Sequence, residues 1–254
     1  MLAKERLLFV LNRLHIQPSV SIKALSEELG VSISTIQRDL RILEDQGKIQ
    51  RERGGALNKE LTDTLSNLTE RPVGEKELIN LPAKQLVCAK AAELIKNGDC
   101  IFIDSGTTPA HLVPLLANKE IKVVTNSVYA LDKLVKEYRG EVYVLGGQFN
   151  AKYDMNMGPI TLEEISKFRF DHAFLGVSGI DLDSGEIFSA DFAIGAIKQM
   201  VMKRSNHTYV LSDDSKYSIK ALCTWADLTE FDLVFVNSFP ANRKKPKNIV
   251  VCET

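Results

Sequence analysis

Cysteine is scarce and scattered in this 254-residue chain: Cys88, Cys100, Cys223 and Cys252. None forms a Cys-x-x-Cys pair and no histidine cluster stands beside them. That argues against a zinc site and a disulfide scaffold, and it fits a reducing cytosol. Long hydrophobic runs are missing too. No apolar stretch approaches the roughly 20 residues needed to span a bilayer. The opening MLAKERLLFVLNRL is broken by Lys4, Glu5, Arg6, Asn12 and Arg13, so it does not read as a signal peptide. The expected location is cytoplasmic. Net charge is almost absent, at −1, and by itself says nothing about nucleic acid.

What is present suits a globular protein of two domains, at about 100–200 residues each. Hydrophobic residues make up 44%, enough for a sizeable core without staples. Charge is divided unevenly: the first 60 residues hold ten basic and eight acidic side chains, a small positive excess. Arg38, Arg41, Lys48, Arg51 and Arg53 crowd together, a plausible phosphate-contacting footprint. A solvated basic face looks the same by charge alone, so the pattern around these residues has to decide.

Leu7, Leu8, Val10, Leu11 and Leu14 recur at helical spacing and predict a first helix over about residues 3–15, stopped by Pro18. Ser21 stands where an N-cap belongs, before a helix over 22–29 that buries Ile22, Leu25 and Leu29. Gly30 permits the left-handed turn that a β-carbon would oppose. Ser32 caps a third helix, with Ile36, Leu40 and Leu43 as its buried stripe. Two short helices joined by a Gly-containing turn make a helix-turn-helix. Outside the stripe lie Ser34, Thr35, Gln37, Arg38 and Arg41, where a recognition helix carries its base-reading side chains. Gln pairs bidentately with adenine and Arg with guanine. Asp39 is out of place on a face toward phosphates and is expected to pair with a neighbouring Arg. Beyond Gly47, Ile49 faces in while Arg51 and Arg53 share one side of an extended segment, and Gly54-Gly55 turns the chain, as in a β-hairpin wing.

The stretch LSEELGVSISTIQRDLRILEDQGKIQRERGGA closely resembles the DeoR-type helix-turn-helix. Ser32, Thr35, Ile36, Arg38, Asp39 and Leu40 match its pattern, and Gln37 stands where Arg is customary. The resemblance implies double-stranded operator DNA as partner, with Ser32, Ser34, Thr35, Gln37, Arg38, Arg41, Arg51 and Arg53 as contacts.

The expected organisation is a winged helix-turn-helix over 1–57, a linker over 58–83 and an α/β domain over 84–254. The linker mixes polar residues with Pro72, Gly74 and Pro82. A helix from Lys84 uses Val87, Ala91, Leu94 and Ile95 and ends at Asn97-Gly98. Apolar strands then alternate with helical stretches: 100–103, 122–125, 142–145, 172–176, 208–211 and 233–236. That alternation predicts a mostly parallel sheet covered on both faces, with ligands outside the carboxyl ends of its strands. The residues there are Asp104-Ser105-Gly106-Thr107-Thr108, Asn126-Ser127, Gly146-Gly147, Ser178-Gly179-Ile180-Asp181 and Asp213-Asp214-Ser215-Lys216. Small hydroxyl residues with Gly at strand-to-helix turns suit phosphate, and Lys216 adds a cation.

These segments resemble, in order, the DSGTT, VVTN, GG, GID and D-x-SK wording of the DeoR effector domain, itself similar to ribose-5-phosphate isomerases. The resemblance implies a phosphosugar pocket. Ser105, Gly106, Thr107 and Thr108 would hold the phosphate, with Asp104, Asn126, Asp181 and Lys216 near the sugar, and Lys198 matches a lysine of the family. Gly146, Gly147 and Gly179 complete the expected effector set. The function that follows is a transcription regulator, a repressor of a sugar catabolic operon, assembled as a homodimer or homotetramer. No cofactor, metal or catalytic residue is expected. The rival is an isomerase-like enzyme with an appended DNA reader, with Asp181 and Lys216 in catalytic roles. Isomerases of that type resemble Asp-Gly-Ala-Asp-Glu at the turn, where this chain has Ser178-Gly179-Ile180-Asp181-Leu182.

Overall fold

The computed structural model describes residues 3–16, 19–46, 48–52, 54–58, 73–134, 138–217 and 219–253. The chain divides into two compact units, Met1–Thr69 and Glu70–Thr254.

In the first unit α1 (Ala3–Ile16), β1 (Ser19–Ser21), α2 (Ile22–Leu29), α3 (Ile33–Asp45), β2 (Ile49–Glu52) and β3 (Gly55–Asn58) surround a small core. Val10, Leu14, Leu25, Ile36, Leu40, Leu43 and Ile49 are buried in it. Leu8, expected on the inner face of α1, is 60% exposed, because the buried stripe runs through Val10 and Leu14 instead. The Ser21 side chain accepts from the Ala24 N–H, and Gly30 ends α2 at φ 61°. The sequence reading missed β1, whose three residues add to the hairpin to give an antiparallel sheet in the order β1-β3-β2. This third strand explains the second glycine of the Gly-Gly pair. A β-carbon on Gly55 would stand 2.2 Å from the Val20 carbonyl oxygen.

The second unit is built on a seven-stranded sheet in which every neighbouring pair is parallel. Its strands are β4 (Cys100–Ile103), β5 (Lys122–Thr125), β6 (Glu141–Val144), β9 (Phe170–Leu175), β12 (Ser205–Leu211), β14 (Leu233–Val236) and β15 (Ile249–Val251). Alternate residues feed two cores. Ile101, Ile103, Phe174 and Tyr209 pack on one side with Val87, Cys88 and Ala91 of a helix over Leu81–Ala92 (α5, after α4, Val73–Lys76). Phe102, Ala173, Leu175 and Val210 pack on the other with Ile194, Ile197 and Val201 of Phe192–Lys203 (α9). The second face is closed by an antiparallel sheet of β10 (Gly179–Ile180), β11 (Glu186–Ser189) and β13 (Cys223–Asp227), and β7 (Gln148–Asn150) pairs with β8 (Met155–Met157). Short helices α6 (Thr107–Ala110), α7 (Val128–Asp132) and α8 (Pro159–Lys167) fill the remaining connections.

The division after Thr69 lies within the segment 58–83 read as linker, and Val73 packs in the core of the second unit. The tail after Pro240 leads into β15, an edge strand beside β14 that the apolar runs did not mark.

The strand order β15-β14-β12-β9-β4-β5-β6 sets the position of the site. From β4 the chain runs outward through β5 and β6, then returns to place β9 on the other side of β4. Such a reversal opens a crevice at the carboxyl ends of the two strands that part, here β4 and β9.

Candidate functional site

On α3, Ser32 is the N-cap, its hydroxyl accepting from the Thr35 N–H. Ser32 Oγ lies 2.9 Å from both Ser34 Oγ and Thr35 Oγ1, so three hydroxyls cluster at the helix start. Ser32, Ser34, Gln37, Arg38 and Arg41 are exposed and Thr35 is half-buried. Asp39 is 2% exposed and turned inward. Its two carboxylate oxygens accept from Arg6 Nε at 2.7 Å and Arg6 Nη2 at 3.2 Å, and this contact holds the Arg6 guanidinium above its ordinary pKa. The expected partner was an arginine neighbouring Asp39; the partner is on α1, 33 residues away. With Asp39 withdrawn, Arg38 and Arg41 stand on that face without a carboxylate between them. Arg51 is half-buried, and its backbone N–H and Nη1 donate to Glu44 at 3.3 and 3.4 Å. Arg53 lies outside the described residues.

In the second unit a cleft opens at the β4/β9 crevice. Asp104 to Pro109 after β4, Gly176 to Ser178 after β9 and Lys216 after β12 form its floor and sides. Ser189, Ile194 and Lys198 close it from the α9 side, and Tyr153, Val73 and Lys76 complete the wall. Asp104 is fully buried. Its Oδ2 accepts from the Gly176 N–H at 2.9 Å and from Lys198 Nζ, and that ammonium also donates to the Gly176 carbonyl at 2.9 Å. Asp104 Oδ1 has no hydrogen-bond partner among the described residues, and neither has Ser189 Oγ. An orphaned buried acceptor costs about 1–3 kcal/mol. Two such atoms on residues of one cleft point to a polar occupant rather than an apolar one. Ser105, Thr107 and Thr108 are each 7% exposed and set hydroxyls along the same loop.

The neighbourhood is cationic. Lys84, on α5, is buried with its ammonium donating to the Lys76 carbonyl at 2.5 Å. Burial draws its pKa down to about 8, and Lys216 and Lys76 push it in the same direction against the pull of Asp213 and Glu77. Among the described residues no group of His, Cys, Asp and Glu has the arrangement to hold a metal ion. No helix among them is long and apolar enough to cross a membrane.

Residues 6–61 match the DeoR-like helix-turn-helix domain, and residues 79–238 match the DeoR C terminal sensor domain. The chain belongs to the DeoR family. Among its relatives, the HTH-type transcriptional regulator FruR of Bacillus subtilis is 33% identical over 92% of this chain and 91% of that protein. The glycerol-3-phosphate regulon repressor of Escherichia coli is 31% identical, over 88% of this chain and 86% of that one. A ribose 5-phosphate isomerase A from Methanocaldococcus jannaschii is similar in fold, at 20% identity and a TM-score of 0.41 over 56% of each chain.

The structure separates the effector residues that the DeoR resemblance implies into two groups. Asp104, Ser105, Gly106, Thr107, Thr108, Lys198 and Lys216 line one cleft. Asn126, Gly146, Gly147, Gly179 and Asp181 are not among its lining residues. Asn126 is fully buried and donates to the Asn156 carbonyl at 2.8 Å. Gly146 donates to Glu164 at 2.6 Å and its carbonyl accepts from Thr161, while Gly147 follows at the start of the β7–β8 excursion. Gly179 lies in β10. Asp181 accepts from Lys220 Nζ at 2.8 Å and from the Asp183 N–H at 2.9 Å, which hold its pKa at about 2. For Asn126, Gly146 and Gly147 the cause is strand order, since β5 and β6 lie on the side of β4 away from β9 and β12, whereas Gly179 and Asp181 follow β9 but are carried off by β10 and the turn after it. Val73, Lys76, Tyr153, Ser189 and Ile194 were missed as lining residues. Val73 and Lys76 fell in what reads as linker, and the others have no local pattern that marks them.

Proposed function

We propose that this DeoR-family regulator represses a sugar catabolic operon and is controlled by a phosphorylated sugar bound in the Asp104–Lys198 cleft. The observation that carries the reading is the fully buried Asp104 carboxylate with one oxygen unpaired, inside a cleft ringed by hydroxyls and three lysines. A sugar hydroxyl donates to Asp104 Oδ1, and the phosphate is matched by Lys216 and by the Ser105–Thr108 hydroxyls and backbone N–H groups. The protein acts in the cytoplasm as a homodimer or homotetramer, because one short recognition helix gives limited specificity and two half-sites raise it. A sugar phosphate that binds one conformation better shifts the population and changes DNA affinity by the same coupling factor.

Binding without turnover is favoured over isomerase chemistry. Asp181, the carboxylate that the isomerase reading casts as general base, is engaged by Lys220 and two turn N–H groups and does not line the cleft. A coupled assay on common phosphosugars that detected turnover would overturn this.

The deciding experiment is fluorescence anisotropy with DNA from just upstream of the gene, with and without a panel of sugar phosphates. Tight binding reversed by one sugar phosphate, and not by its unphosphorylated parent, is expected. Tight binding indifferent to every phosphosugar would overturn the effector and leave the DNA reader standing.

A further inference from the structure

Residues Val73–Asn80 begin the described part of the second unit directly after the segment that joins it to the DNA reader. They cross the wall of the cleft, to which Val73 and Lys76 contribute. Four contacts fasten this strap. The Val73 N–H donates to the Lys152 carbonyl at 3.3 Å. Glu77 pairs with Lys133 Nζ at 2.6 Å, on the α7 side. Asn80, in the left-handed region at φ 54°, donates from Nδ2 to Asp213 Oδ1 at 2.8 Å. Asp213 in turn caps the short turn that carries Lys216.

The fourth contact is the unusual one. Lys84 is 3% exposed, and its ammonium donates to the backbone carbonyls of Lys76 and Glu77 at 2.5 and 3.5 Å. No carboxylate lies in salt-bridge range of it among the described residues. A buried lysine in that position is expensive to keep unless the strap needs a pin. A non-glycine residue at positive φ beside it marks a backbone held in place by its surroundings.

We propose that Val73–Asn80 is the effector-responsive wall of the sensor cleft. Lys76 contacts the anionic end of the effector, and Lys84 is the positioning residue that holds the strap by the Lys76 and Glu77 carbonyls. This rests on the phosphosugar reading. An anion in the cleft draws in Lys76, and the strap tightens on Lys84 and Asp213.

The test uses the full-length protein, with inorganic phosphate and a panel of glycerol, pentose and hexose phosphates as probes. Lys84→Met and Lys76→Met are compared with wild type by calorimetric titration and by operator-DNA anisotropy. Removing one charge-assisted contact is expected to weaken sugar-phosphate binding roughly tenfold in Lys76→Met. Lys84→Met is expected to bind operator DNA without effector within about twofold of wild type, yet to lose most of the effector-induced change. Hydrogen exchange on the wild type removes any dependence on how the variants fold: the amides of 73–80 should gain protection when the tightest probe is added. Wild-type binding with an unchanged strap, and a Lys84→Met protein that responds normally, would sink the strap alone. Wild type that binds none of the probes would sink the phosphosugar reading and the strap's role with it.

Discussion

The two units place their working side chains in opposite ways. On α3 the residues suited to DNA are exposed, Thr35 half-buried among them, and the core beneath is made of Ile36, Leu40 and Leu43. In the sensor cleft Asp104, Ser105, Thr107, Thr108 and Lys198 are all more than nine-tenths buried. A DNA reader meets its partner on an open surface, so recognition and folding are carried by different residues. A sensor that encloses a small ligand has to build its site from the same buried groups that hold the strands and helices together. Mutation should therefore split recognition from stability in the first unit and fail to split them in the second.

The largest effect is expected from Asp104→Ala, which leaves the Lys198 ammonium buried with only a carbonyl acceptor. Breaking a buried pair costs about 3–5 kcal/mol, and a urea melt followed by Trp225, the single tryptophan, should show it together with loss of the effector response. An Asp104→Ala protein as stable as wild type would refute the claim that the sensor's site is structural. Next comes Leu40→Ala, a core truncation worth about 2–5 kcal/mol. It should lower the helical circular-dichroism transition while the Trp225 melt stays put, because Leu40 and Trp225 lie in different cores. Coincident shifts of both signals would mean the units melt as one.

Arg38→Ala sharpens the contrast from the other side. DNA affinity should fall by about 1–3 kcal/mol, the range for a base contact, with stability within about 0.5 kcal/mol and sugar-phosphate binding unchanged. Normal operator binding by this variant would displace the recognition surface from α3. The last test is a pH dependence. Lys84 titrates near pH 8 in the folded chain against an ordinary 10.5, so between these values the unfolded chain binds the extra proton. Stability of the sensor unit should rise as pH climbs from about 8 to about 10.5, and Lys84→Met should flatten that rise. A wild-type profile that is flat or falling there would show that Lys84 is not held in a cation-hostile site.

Much of this could be read from local pattern. Ser21, Gly30 and Ser32 mark the ends of α2 and α3, because a cap or a left-handed turn needs only its immediate neighbours. The central strands were legible as short apolar runs, since a strand covered on both faces must be apolar throughout. Less visible were β1 and β15, three residues each, which are strands only because a partner lies alongside them. Asp39 shows the same limit for a side chain. Its chemistry demands a cation, but Arg38 and Arg41 point outward and only the packing of α1 brings Arg6 to it.

The sequence by itself determined the class of each unit: a helix-turn-helix with a basic outer face, and a parallel α/β sheet with polar residues at its strand ends. Periodicity and capping are short-range, and they report which side of an element is buried. Only the tertiary structure decided which strand ends meet. Five polar turns look equivalent along the chain, yet the reversal at β4 gathers those after β4, β9 and β12 and leaves those after β5 and β6 aside. It also carries Val73 and Lys76 to the cleft from what reads as linker. Strand order is a property of long-range pairing, settled by how two faces of one sheet are covered, and no window of neighbouring residues contains it.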